Sequence, residues 1–118
     1  MRNQLNDILS KYFKNFHIPF NNTDYGLYDI KIIESYYPYR TEPVVFTINI
    51  TKDGQYDRVE IVSTGFELYF VYHKLVGGNL TGSRQQVLDF IDYNLKCLHE
   101  RYTNIKLGLW SPYGIKHQ

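Results

Sequence analysis

Two runs with apolar side chains at every second position flank one Asp-Gly pair, and no other feature of the chain constrains its fold as much. Val44, Phe46, Ile48 and Ile50 alternate with Val45, Thr47, Asn49 and Thr51; beyond Asp53-Gly54, the run from Asp57 to Ser63 turns Val59 and Ile61 inward. Alternation with period two marks a half-buried strand, and Asp-Gly supplies the positive φ that a tight hairpin turn needs. The segment therefore predicts an antiparallel hairpin with one apolar face that another element must cover.

The flanking sequence supplies both the neighbouring strands and the cover. From Leu27 to Tyr37, Tyr28, Ile30 and Ile32 alternate with Asp29 and Lys31, predicting a strand before the hairpin. Thr64-Gly65 predicts a second turn, followed by a strand with Phe66, Leu68, Phe70 and Tyr72 inward and Glu67, Tyr69, Val71 and His73 outward. Residues 3–16 carry Leu5, Ile8, Leu9, Tyr12, Phe13 and Phe16 at helical spacing, with Pro19 ending that helix. Asn21 to Gly26 reads as a turn-rich loop and residues 76–82 as a Gly-rich loop. Ser83-Arg84-Gln85-Gln86 fits a capping box, opening a helix with Val87, Leu88, Ile91, Leu95, Leu98 and Tyr102 on one face. Residues 104–118 read as a short extended tail packed on the body. The expected fold is a single α+β domain over residues 1–118: a four-stranded antiparallel meander with an N-terminal and a C-terminal helix on one face (α-β-β-β-β-α).

At 118 residues such a chain buries roughly two-thirds of its unfolded surface, enough to fold without cross-links. The single cysteine, Cys97, excludes an internal disulfide and a multi-cysteine metal site. Thirteen basic against twelve acidic side chains give a net charge of +1. That balance shows neither the basic excess of a duplex-DNA binder nor the acidic excess of a nucleic-acid mimic. No apolar run approaches the ~18 residues that span a bilayer, and the N-terminus has no apolar signal core. A cytoplasmic protein with no membrane partner is expected, so the sequons at Asn21, Asn49 and Asn79 read as chance matches. Alanine is absent while Ile, Asn, Lys, Tyr and Phe abound, a bias toward AT-rich codons that points to a low-GC bacterium or its phage.

Few residues of the chain have the spacing of a chemical site. Gly77 to Gly82 has the glycine spacing of a phosphate-binding loop, but Ser83-Arg84 stands where Lys-Ser/Thr is required, so a plain β-to-α connection is the better reading. His17, His73, His99 and His117 form no metal-ligand spacing, and Cys97 and His99 lie two apart on a helix, facing apart. His17 reads as a helix-end residue and Cys97 as a small hydrophobe. Asp92 and Lys96 predict a solvated helix pair, and Glu60, Glu67, Arg58 and His73 predict charge pairs across the third and fourth strands. No catalytic residue, metal or cofactor is assigned, and an enzyme ranks last.

The aromatic content, 17% with twelve tyrosines, leaves recognition as the stronger theme. Tyr36, Tyr37, Tyr39 and Arg40 lie at a predicted turn, where Pro38 and Pro43 bracket residues 39–42, and Trp110 and Tyr113 lie in the tail. Tyr, Trp and Arg are the residue types that anchor protein interfaces. With Tyr69 and His73 on the outer sheet face, they form the expected protein-binding set. The function expected is a small protein-interaction module, specifically an accessory or inhibitor protein of phage or mobile-element type acting on a host or defence protein. The alternative is nucleic-acid binding through the basic C-terminal end, by Arg101, Lys106 and Lys116, where no acidic residue follows Glu100. A homodimer formed through an edge strand or an open sheet face is compatible with each reading.

Overall fold

The computed structural model describes residues 1–21, 23–33, 44–68 and 71–106; within these, side chains are described except at 64–75, 102 and 104–106. The elements run α1(Arg2–Ser10), β1(Phe16–His17), β2(Gly26–Ile32), β3(Val44–Asp53), β4(Tyr56–Leu68), β5(Val71–Gly82) and α2(Arg84–Lys106). The strands form one sheet in chain order, every neighbour antiparallel. The α+β meander flanked by two terminal helices is thus the observed fold, with five strands where four were expected.

Alternation sets which face is buried. Ile30, Phe46 and Ser63 lie side by side across β2, β3 and β4, as do Tyr28, Ile48 and Ile61, and all are buried. The Asp53-Gly54 hairpin forms as read: Asp53 pairs with Tyr56, and Gly54 at φ 62° has the sign that both primed two-residue turns require. Leu5, Ile8 and Leu9 of α1 join Val87, Ile91, Leu95 and Leu98 of α2 and the inner sheet residues in one core cluster. Each such fully buried aliphatic side chain stabilises the fold by about 1.5–3 kcal/mol relative to exposure. The capping box at the start of α2 is reciprocal: Gln86 N–H donates to Ser83 Oγ at 3.2 Å and Ser83 N–H donates to Gln86 Oε1 at 2.8 Å.

Three expectations require correction. The first helix ends at Ser10, and the chain turns through Phe13, whose N–H donates to Leu9 O, before Phe16 and His17 pair with Ile32 and Lys31. The fifth strand is this two-residue β1, and His17 is an edge-strand residue, not a helix cap.

Thr64-Gly65 does not turn the chain. Irregularities between Ser63 and Thr64 and between Gly65 and Glu67 absorb the local misfit, and β4 continues to Leu68. A β-bulge of this kind bends a strand without ending it. Reversal comes between Leu68 and Val71, so the expected fourth strand is split between β4 and β5.

The Gly-rich segment 76–82 is strand, not loop. Gly77 stands opposite Val62 and Gly78 opposite Ile61 in the ladder. Phe90 of α2 explains the glycine: its Cζ lies 3.2 Å from the position of a Cβ on Gly78, whose φ of 145° side chains seldom adopt. Backbone and ring meet there because no side chain intervenes. This geometry removes the phosphate-loop reading.

Candidate interaction surface

Two polar assemblies and one open face offer themselves as sites. At the end of the sheet where α2 begins, Asp57 is 7% exposed and accepts from Arg84 Nε at 2.8 Å and from the Tyr25 hydroxyl at 2.9 Å. Arg84 and Lys52 both stand over the Tyr25 ring, with their charged ends 5.2 and 5.7 Å from its centroid. Nearby, Asp24 accepts from the Met1 ammonium at 2.6 Å, which holds its carboxyl below the usual value, and Arg2 donates to the Ile18 and Pro19 carbonyls. Every charge in this group has a partner, so its evident work is fastening α1, α2 and the 18–26 loop to the sheet.

A second assembly joins the helices. Asp92 accepts from Lys11 Nζ at 2.5 Å and from the Tyr12 hydroxyl. The solvated Asp92–Lys96 pair expected from the sequence gives way to this contact, with Lys96 acting on Asp92 only through its charge. Burial opposes the Asp92 charge, yet the two donors keep its carboxyl below the ordinary value. In return, the hydrogen bond to Asp92, helped by burial, pushes the Tyr12 phenol up to about 12. His99 stands beside it, 5.9 Å from the Tyr12 ring and 5.7 Å from Phe13. A shallow hollow of about 260 Å³ opens between the helices here, lined by Gln4, Asp7, Lys11, Gln85 and Asp89 among others.

The third is the outer sheet face, where no described element lies. Thr47 Oγ1 donates to Asp29 at 2.8 Å and Arg58 Nε to Glu60 at 3.2 Å, while Leu27 and Val62 stand 56% and 47% exposed among them. Glu60 and Glu67 do not meet across two strands as expected: both belong to β4. Glu60 is flanked by Asn49 and Asn79, and Glu67 is opposite Tyr72. Among the described residues, no group of three His, Cys, Asp or Glu side chains is placed to hold a metal ion. No described helix is long and apolar enough to cross a membrane.

No protein-family model, no curated protein and no solved structure matches this chain. Its site has to be read from its own geometry.

Of the expected site residues, Tyr36, Tyr37, Tyr39, Arg40, Tyr69, Trp110, Tyr113 and Lys116 lie outside the described residues. His73 is placed in β5 opposite Gly65; Arg101 is half-buried on α2, and Lys106 ends that helix. The segments that carry most of these residues leave the body from neighbouring points. Ile32 pairs with Val44, so segment 34–43 leaves and returns at one end of the sheet. Thr64 pairs with Val45 near that end, and the β4–β5 ribbon carries Leu68 and Val71 beyond it. Asn15 O accepts from Ile33 N–H at 2.8 Å, and His99 contacts Tyr12 and Phe13, so the C-terminal turns of α2 approach the same end. Three segments far apart in sequence are joined to the body at one pole, opposite the Asp57–Arg84 assembly. Sequence reasoning missed the two polar assemblies because their members are distant in the chain: Asp57 and Arg84 are 27 residues apart, Lys11 and Asp92 81.

Proposed function

We propose that the protein is a small protein-binding module that engages its partner at this pole, with Tyr36, Tyr39, Arg40, Tyr69 and Trp110 as the principal contacts. The observation that supports this reading is the convergence of the anchors Ile33, Val44, Leu68, Val71 and Lys106 at one end of the domain. Aromatic and arginine side chains bury large areas with little loss of conformational entropy, which suits them to a central interface cluster. A rigid sheet presenting binding segments from one end is also the usual way in which a scaffold carries recognition. The specific form of the proposal is an accessory or inhibitor protein directed at another protein in the cytoplasm.

A second reading uses the same pole. Arg101 and Lys106 lie in the last turns of α2, and with Lys116 and the neighbouring rings they would suit single-stranded nucleic acid. A tagged pull-down from lysate, at low and high salt and with and without nuclease, separates the two. A protein retained at high salt after nuclease supports the module; nucleic acid that is lost at high salt supports the alternative and overturns the first reading.

A further inference from the structure

We infer that β5 is a dimerisation edge, pairing antiparallel with β5 of a second copy of this chain about a two-fold axis at Gly78. This inference is independent of the binding pole and rests on a different part of the surface. β5 pairs with β4 on one side and, among the described residues, with no strand on the other. An open edge carries a row of unpaired backbone donors and acceptors, and stable monomers blunt it with lysine, proline, bulges or very short strands. β1 and β2 close the opposite edge in that way, with a two-residue strand and with Asp29 and Lys31. β5 is twelve residues long, and from Leu75 to Gly82 it carries no charge and no proline. Edge strands left long and neutral are open to pairing.

The register about Gly78 is self-complementary. Val76 meets Leu80 of the second copy on the helix-bearing side of the sheet, where Leu80 is only partly buried within one chain. Gly77 meets the second Asn79, Leu75 the second Thr81, and Lys74 the second Gly82, so no like charges oppose one another.

The helix beside the edge is equally unfinished. Phe90 lies on Gly78, and Phe90, Tyr93 and Cys97 follow at helical spacing, with Tyr93 63% exposed. This apolar stripe occurs on α2, the helix that lies against β4 and β5. A helix over the β4–β5 pair sits about half a strand spacing inside the edge. The two-fold therefore sets the two α2 helices about two strand spacings apart, ~10 Å, the normal distance for packed helices. Strand pairing and helix packing are satisfied together by one symmetry operation, as an isologous interface requires.

Sedimentation equilibrium of the full chain tests this, with Tyr93→Lys as the disrupting variant and Thr81→Cys in a Cys97→Ser background as a spin-label site. A dimer is expected, with its dissociation constant raised at least tenfold by Tyr93→Lys while circular dichroism is unchanged. Labels at position 81 should lie ~20 Å apart, six residues of strand rise, plus the reach of the labels. A monomer at the highest concentration, or labels more than ~40 Å apart in the dimer, overturns the inference. A dimer as tight with Tyr93→Lys as without it does the same.

Discussion

Arg84 reaches back across the sheet end to Asp57, Nε to Oδ2 at 2.8 Å, and this pair ties the first turn of the long helix to the start of β4. Asp57 is the more enclosed partner, with a side chain 10% exposed against 29% for Arg84. The Tyr25 hydroxyl bonds the other carboxylate oxygen, so Asp57 is satisfied by two donors from two further elements of the chain.

Removing the cation is expected to cost more than a surface ion pair would. Arg84→Ala leaves a nearly buried carboxylate with only the tyrosine, and should lower unfolding free energy by about 2 kcal/mol. Asp57→Asn keeps its one carbonyl oxygen as an acceptor for Arg84 and turns an amide N–H toward the Tyr25 hydroxyl, which can accept it, and should cost less. Urea unfolding of the two variants checks the order; equal losses would contradict it.

Tyr12 makes alkaline stability a readout of the helix pair. Its phenol moves from 10.0 to about 12 on folding, so the fold favours the protonated form. The stabilisation is complete below pH 10 and disappears as pH rises through 12. Tyr28, raised by burial, acts with the same sign. Tyr12→Phe should therefore lose less stability than the parent between pH 10 and 12, while starting about 1.5 kcal/mol lower at pH 7. Chemical denaturation at pH 7, 10 and 11.5 measures both; parallel pH curves would show that Asp92 does not hold the Tyr12 proton.

The capping box predicts a local cost. Ser83→Ala removes the acceptor for Gln86 N–H and should destabilise by about 1 kcal/mol, with faster amide exchange confined to the first turn of α2. Gly82 belongs to the same device, because a Cβ there would meet the Gln86 side chain. Gly82→Ala should reproduce much of the effect. Uniform acceleration of exchange along α2 would show that the cap is not its local anchor.

How much of this was legible depends on the distance over which each signal acts. The Asp53-Gly54 turn, the Ser83–Gln86 cap and the alternation of 44–51 involve residues within a few positions of one another, and each formed as read. Thr64-Gly65 and Gly77-Gly78 misled because glycine marks both turns and strands into which another group presses closely. Only Phe90, reached through the tertiary fold, separates the two cases at Gly78. β1 is two residues long and has no periodicity to detect. The Tyr12–Asp92 and Arg84–Asp57 contacts carried no local spacing signal, and neither did the meeting of distant segment anchors at one pole.

Ser63 identifies a polar group that the core carries at a cost. Its side chain is fully buried between Phe46 and Val76 in the ladder, and among the described residues its Oγ has no hydrogen-bond partner. Ser63→Ala should raise stability by about 1 kcal/mol, since a desolvated hydroxyl without a partner is removed. A loss of stability in thermal unfolding would show that the hydroxyl is needed.

The binding pole is tested most directly by titrating the protein retained in the high-salt, nuclease-treated pull-down against four purified proteins: the parent, Tyr39→Ala, Trp110→Ala, and Gln55→Ala at the turn of the opposite pole. The account predicts that Tyr39→Ala and Trp110→Ala each weaken binding at least tenfold, about 1.4 kcal/mol, with unchanged circular dichroism, while Gln55→Ala binds as the parent does. Unchanged affinity in both pole variants, or a loss confined to Gln55→Ala, would contradict it.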